Sequence, residues 1–132
     1  MGSWMEQAKE NVNNVLTYTQ SLMGFAVKDI KIGFLAYRDY DDDKQFEKKD
    51  FTDNSAEVSS FIAKLDATGG GDSAEDVVGA LTIMRDDFNF SPFGINLAFL
   101  ICDAPCHGKQ YHDGVSDNHA DKVPTNTLEN LM

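Results

Sequence analysis

An α/β fold, with helices on the faces of a sheet, is what the 132-residue sequence predicts, and three observations predict it. Apolar residues recur at steps of three and four in three segments, which is the periodicity of helices with one buried face. "DIKIGFLAY" (29–37) alternates with period two, as a strand does. "INLAFLIC" (95–102) is almost unbroken apolar sequence of strand length, the pattern of a parallel strand covered on both faces. The order helix, strand, strand, helix, helix, strand, helix then places helices against a sheet. A chain of this length builds one hydrophobic core, so residues 1–132 are expected to form a single domain.

The elements follow in order. Trp4, Ala8, Val12, Val15, Leu16, Thr19, Leu22 and Met23 draw an apolar stripe along a helix over 4–23, with Gly24 as its C-cap. The first strand covers 30–36, with Ile30, Ile32 and Phe34 on one face. "DYDDDK" (39–44) is too charged to pack and forms a turn, and "QFEKKDF" (45–51) is a short strand whose lysines suit an exposed edge. Asn54 and Glu57 have capping-box spacing ahead of Val58, Phe61, Ile62 and Leu65, which predicts a helix over 55–65. After Gly69-Gly70-Gly71, the residues Val77, Val78, Leu81 and Met84 mark a third helix. Its first turn holds Glu75 and Asp76, where the helix dipole favours negative charge. "SPFG" (91–94) breaks the chain before the last strand, a polar loop runs over 103–124, and "TNTLENLM" (125–132) opens a final helix.

Charge narrows the partners. Eleven basic against 22 acidic residues give a net charge of −11, which repels phosphate backbones and anionic membranes, so nucleic acid is not an expected partner and cations are. No apolar run is long enough to span a bilayer, and no basic segment precedes an apolar one as in a signal peptide. The expectation is a soluble, cytoplasmic protein with no membrane contact, whose two cysteines are reduced thiols. Met1-Gly2-Ser3 also has the composition of an expression remnant.

An α/β sheet binds ligands beyond the carboxyl ends of its strands. That rule selects 37–43 after the first strand and 103–108 after the last, with the Gly69-Gly70-Gly71-Asp72 turn beside them. The glycine turn lacks a lysine and is followed by Asp72, Glu75 and Asp76, so it repels phosphate. Two readings of it stand: a hard-cation site shared by a loop carboxylate and a strand-end carboxylate, or a tight turn in which Asp72 or Ser73 caps the helix. Asp39, Asp41 and Asp43 have the odd-position spacing of a calcium loop, but Lys44 stands where the turn needs Gly and Asp50 where Glu is needed. A solvated hairpin loop fits those residues better. Cys102, Cys106, His107 and His112 offer four zinc donors at spacing foreign to common zinc sites, and Cys106 with His107 makes a poor nucleophile pair. His119 is expected at the surface, and Arg38 either bridges carboxylates within the acidic edge or, the more ordinary case, stands in a surface ion pair.

Taken in order, "GFLAYRDYDD", "DFTDN", "ATGGGDSAEDVVGAL" and "AFLICDAPCHGKQYHD" resemble a von Willebrand factor type A domain, of the variety found with alpha-type protein kinases. The resemblance spans most of the chain. It implies a doubly wound, Rossmann-like, mostly parallel sheet with helices on both faces and a metal-ion-dependent adhesion site at its carboxyl edge. Carried over, Asp103 matches the strand-end metal aspartate, and Asp72 falls near the position where relatives use Thr, with Ser73 as the neighbouring alternative. The resemblance also places Met1 just after the family's Asp-x-Ser/Thr-x-Ser loop. Gly2-Ser3-Trp4 are then native, the first central strand with three leading ligands is absent, and the last elements are missing too.

The implied function is a protein–protein interaction module with an incomplete adhesion site, binding Mg²⁺ or another divalent cation weakly. Its partner is a protein supplying a carboxylate, or a strand to pair with the edges left at 30–36 and 95–101. The alternatives are an accessory domain of an alpha-type serine/threonine kinase, a Mg²⁺-dependent phosphoryl-transfer or hydrolase domain using Asp39, Asp72 and Asp103, or a truncated product without a role of its own. Nothing in the sequence supplies a nucleotide site.

Overall fold

The computed structural model describes residues 2–21, 29–123 and 127–131. Leu22, Met23 and the expected cap Gly24 lie outside them, as does the side chain of Trp4. The described elements are α1 (Gly2–Ser21), β1 (Ile32–Tyr37), β2 (Phe46–Thr52), α2 (Ser55–Ala63), α3 (Val77–Asp87), a 3₁₀ turn (Ala120–Lys122) and α4 (Thr127–Leu131). β1 and β2 pair antiparallel as a two-stranded hairpin. The chain divides into two compact units, one of residues 1–34 with 48–67 and one of 35–47 with 68–132.

The first unit is built on α1 and α2. Leu16 is buried against Val58 and Ile62, with Val12, Ile32, Phe34 and Phe61 packed around them. Val12 and Leu16 are four apart, as are Val58 and Ile62, so each pair stacks on one helix face. Val15 is 47% exposed, because a residue one position from Leu16 lies about 100° round the helix. Phe34 and Phe61 meet edge-on with ring centroids 6.1 Å apart, a favoured aromatic geometry. Lys9 Nζ donates to Leu65 O at 2.8 Å, which satisfies a carbonyl past the end of α2. Asn54 caps α2 by accepting from Ala56 N at 3.1 Å, and its amide donates weakly to Glu57.

The second unit is built on α3. Val77, Val78, Cys106 and Val123 are buried together, joined by Tyr37, Leu81, Tyr111, Leu128 and Leu131. The helix begins later than the glycine turn: its N-cap is Asp76, whose Oδ1 accepts from Gly79 N at 2.7 Å. Asp72 and Ser73 do not cap it. Asp72 Oδ1 accepts from Ala74 N in a local turn, so the anticipated first-turn residues Glu75 and Asp76 lie ahead of the helix. One parallel bridge joins Glu75 to Cys106, through Glu75 N to Pro105 O at 2.9 Å and His107 N to Glu75 O at 3.3 Å.

Residues 95–101 carry no strand pairing among the described residues. Ile95 is 88% exposed, Leu97 71% and Phe99 76%. A strand exists only by hydrogen bonding to a neighbour, and among the described residues this segment forms no bridge to another.

Candidate functional site

The hairpin tip, the Asp72–Asp76 segment and the loop after residue 103 converge within the second unit. Arg38 sets the tip. It is 7% exposed, donates from Nη1 to Lys44 O and pairs from Nη2 with Glu47 Oε2 at 2.7 Å, so the expected surface ion pair is a buried one. The turn that follows folds back on itself, with Asp42 Oδ2 accepting from Asp39 N and Asp39 Oδ1 from Tyr40 N. This local bonding buries Asp39 to 5% exposure and leaves Asp41 outside. The calcium-loop spacing of 39, 41 and 43 is therefore not a ring of ligands. Gly69 sits close against the tip: its φ is +109°, and a Cβ there would overlap the Asp42 carboxylate.

His107 is the centre. It has no exposed surface, and both ring nitrogens face carboxylates: Nε2 lies 2.6 Å from Asp39 Oδ1 and Nδ1 2.7 Å from Asp117 Oδ1. Burial alone would lower its pKa, but hydrogen bonds to Asp117 and Asp39 outweigh it and raise the pKa above the ordinary histidine value. Flanked by two carboxylates, the ring has an acceptor for a proton on each nitrogen, which favours the imidazolium form.

Asp117 gathers the most bonds. Besides His107 it accepts from Gly108 N at 2.9 Å, from His119 N at 2.9 Å and from His112 Nε2 at 2.9 Å. Burial pushes its pKa up, yet the bonds from His112, Gly108, His107 and His119 hold it well below the usual carboxylate range. His119 is partly buried, not at the surface. Its ring lies 5.3 Å from those of Tyr40 and His107, and its Nε2 is 3.1 Å from Asp41 Oδ2.

Asp72 joins this group. Asp39, Asp72 and His107 each offer a ligand atom within 4.8 Å of the others, while Asp103 is exposed and outside the set. Asp103 instead acts with Cys102, Glu75 and Cys106 on Tyr37, whose hydroxyl is kept protonated first by burial and then by those charges. The other Asp72 oxygen accepts from Asn118 N at 2.6 Å, tying the glycine turn to the distal loop. Beside the group lies Glu75. Burial, then the charges of Asp39, Asp42 and Asp72, raise its pKa to about 7 against the opposing pull of His107, and its Oε2 is buried without a hydrogen-bond partner.

The zinc donors of the sequence separate. Cys102 is exposed and Cys106 buried, its thiol pushed up to about 11 mainly by burial, while His107 and His112 both turn to Asp117. A thiol so raised is neither a ready nucleophile nor a metal ligand. Asp117, the organising carboxylate, carries no sequence signal: it sits in "DGVSDNH", without the spacing of any catalytic or metal motif. His107, His112 and Asp39 were visible as chemistry-bearing residues, but their meeting depends on the fold.

No protein-family model matches the chain, and no solved structure does. No helix among the described residues is long and apolar enough to cross a membrane. Among curated proteins the chain is similar to an alpha-protein kinase, vwkA, of Dictyostelium discoideum, with 29% identity over 113 residues. The similarity covers 85% of this chain and 18% of that protein, so the chain spans under a fifth of its relative's length.

Proposed function

We propose that this chain is a non-enzymatic interaction module of the von Willebrand A type, serving as an accessory domain of the kind that accompanies alpha-type kinases. The observation that carries this is the extent of the similarity. It runs over 85% of the chain, takes in the ordered motifs at 33–42, 50–54, 67–81 and 98–113, and meets a protein named as an alpha-protein kinase. On this reading the fold is a doubly wound sheet in which 95–101 occupies a strand position. Its exposed apolar side chains support such a place, because helices on the two faces of a sheet would cover them. Asp72 and Asp103 would hold the divalent ion, which completes its coordination with a carboxylate of the protein partner. Two carboxylates are few for a hard cation that takes about six oxygens, so binding is weak. An enzymatic reading would use Asp39, Asp72 and Asp103 for Mg²⁺-dependent phosphoryl transfer. Against it, Asp103 is outside the group that Asp39 and Asp72 form with His107, and the glycine turn carries no phosphate-binding lysine.

Calorimetric titration with Mg²⁺ tests the reading. The expected dissociation constant is millimolar or weaker, lost further in Asp103→Asn and Asp72→Asn, with no hydrolysis of generic phosphate esters. Micromolar Mg²⁺ affinity, or phosphatase turnover abolished by Asp103→Asn, would refute it.

A further inference from the structure

We propose that Asp39, Asp72 and His107 form a site for a divalent first-row transition-metal ion of the Mn²⁺–Zn²⁺ class, with Asp117 as the carboxylate that orients the histidine. The site goes beyond the adhesion-type reading, from which it differs in two of its ligands and in the class of ion.

The donor set is one imidazole nitrogen and two carboxylates, all within 4.8 Å of one another. Mixed imidazole and carboxylate donors favour first-row transition ions, whereas all-oxygen sets favour Mg²⁺ and Ca²⁺. The surroundings are those of a metal-ligating histidine. Such a residue binds through one ring nitrogen and donates the other N–H to a carboxylate, which fixes ring orientation and strengthens the ligand. In His107 the Nδ1 side is already so arranged, 2.7 Å from Asp117 Oδ1, and Asp117 is itself held by Gly108 N, His119 N and His112 Nε2. The Nε2 side faces Asp39 Oδ1 at 2.6 Å, with Asp72 the third donor.

A second observation points the same way. Glu75 Oε2 is buried with no hydrogen-bond partner, and Glu75 feels the charges of Asp39, Asp42, Asp72 and His107. A buried carboxylate oxygen without a donor is costly, and a cation nearby removes that cost. An ion held between Asp39 and His107 is drawn further by Asp72 and by the unpartnered Glu75 oxygen. Ligand atoms about 2.0–2.2 Å from such an ion lie roughly 3.0–3.5 Å from one another, so Asp39 and His107, now at 2.6 Å, must part by about 0.4–0.9 Å while Asp72 closes in.

The experiment is titration of the full chain with MnCl₂, CoCl₂ and ZnCl₂ at pH 7.5. It is followed by calorimetry, by loss of the free Mn²⁺ paramagnetic resonance signal and by the visible band of Co²⁺. One ion per chain is expected, at least tenfold tighter than Mg²⁺. His107→Gln should weaken binding at least tenfold, and Asp117→Asn by about tenfold or more. Asp72→Asn, at a partly exposed position, serves if the His107 variant fails to fold. Asp103→Asn should leave transition-metal affinity unchanged even where it abolishes Mg²⁺ binding, which separates this site from the adhesion-type one. The proposal is overturned if no ion binds tighter than Mg²⁺, or if affinity survives both His107→Gln and Asp72→Asn. It is equally overturned if His112→Gln removes binding that His107→Gln leaves intact.

Discussion

His107 holds its protons between Asp39 and Asp117, and that arrangement makes stability depend on pH in a direction that can be worked out. Its folded pKa is raised, so its contribution is whole below the unfolded value of about 6.5 and is lost as pH rises through the folded one. Glu75 has the same sign: raised to about 7, it favours folding while protonated and opposes it once the unfolded form has ionised near about 4.3. Asp117 is depressed, so its contribution is present above about 3.9 and is lost as pH falls toward the folded value. Urea unfolding should therefore give greatest stability between about pH 4 and 6, declining toward pH 8. Glu75→Gln should flatten that decline and stabilise the protein at pH 8 by on the order of 1 kcal/mol, discounted because the residue is only partly buried. A variant no more stable than the parent at pH 8 would show that Glu75 carries no buried charge.

At the scale of elements, α3 depends on a cap that is also part of the hairpin tip. Asp76 is 2% exposed and accepts from Gly79 N, from Gln45 Nε2 at 2.8 Å and from the Tyr40 hydroxyl. Asp76→Ala should cost about 1–2 kcal/mol in chemical denaturation, the upper part of the N-cap range. Asp76→Asn should cost less, since it keeps an acceptor for Gly79 N. Replacing Gly79 is costly for the same reason, because a Cβ there would overlap the Asp76 carboxylate and the Phe46 ring.

α1, α2 and α3 were legible in the sequence because each packs one side and its periodicity records that side, while β1 and β2 were read from alternation and from edge lysines although nearly every position in them is only partly buried. Boundaries moved where a side chain intervened: Asp76 rather than Asp72 starts α3, since the polar run 72–76 offers several capping residues and local spacing does not choose among them. For 95–101 the composition recorded an apolar segment but not a neighbour to pair with. The site was half legible. Asp72, Asp39 and His107 could be picked out by type, whereas Asp117 was invisible because hydrogen bonding to distant histidines leaves no spacing behind.

Across the whole molecule, a net charge of −11 coexists with five large apolar side chains exposed between residues 95 and 101. Charge repulsion keeps chains apart, while an unpaired apolar segment draws them together. Sedimentation velocity should show concentration-dependent association that strengthens with salt, as screening weakens the repulsion. Leu97→Lys with Phe99→Lys should return the protein to a monomer without lowering its unfolding midpoint. A parent chain that stays monomeric at high concentration and high salt would remove the segment as a pairing surface.

The division into two units has a consequence for inheritance. Each unit draws on two separate stretches of chain, and β1 and β2 run through both. Neither can be excised, duplicated or exchanged as an uninterrupted length of gene. A break after residue 67 would put Asp39 on one polypeptide and Asp72 with His107 on the other, so that only complementation between the two pieces could reunite them.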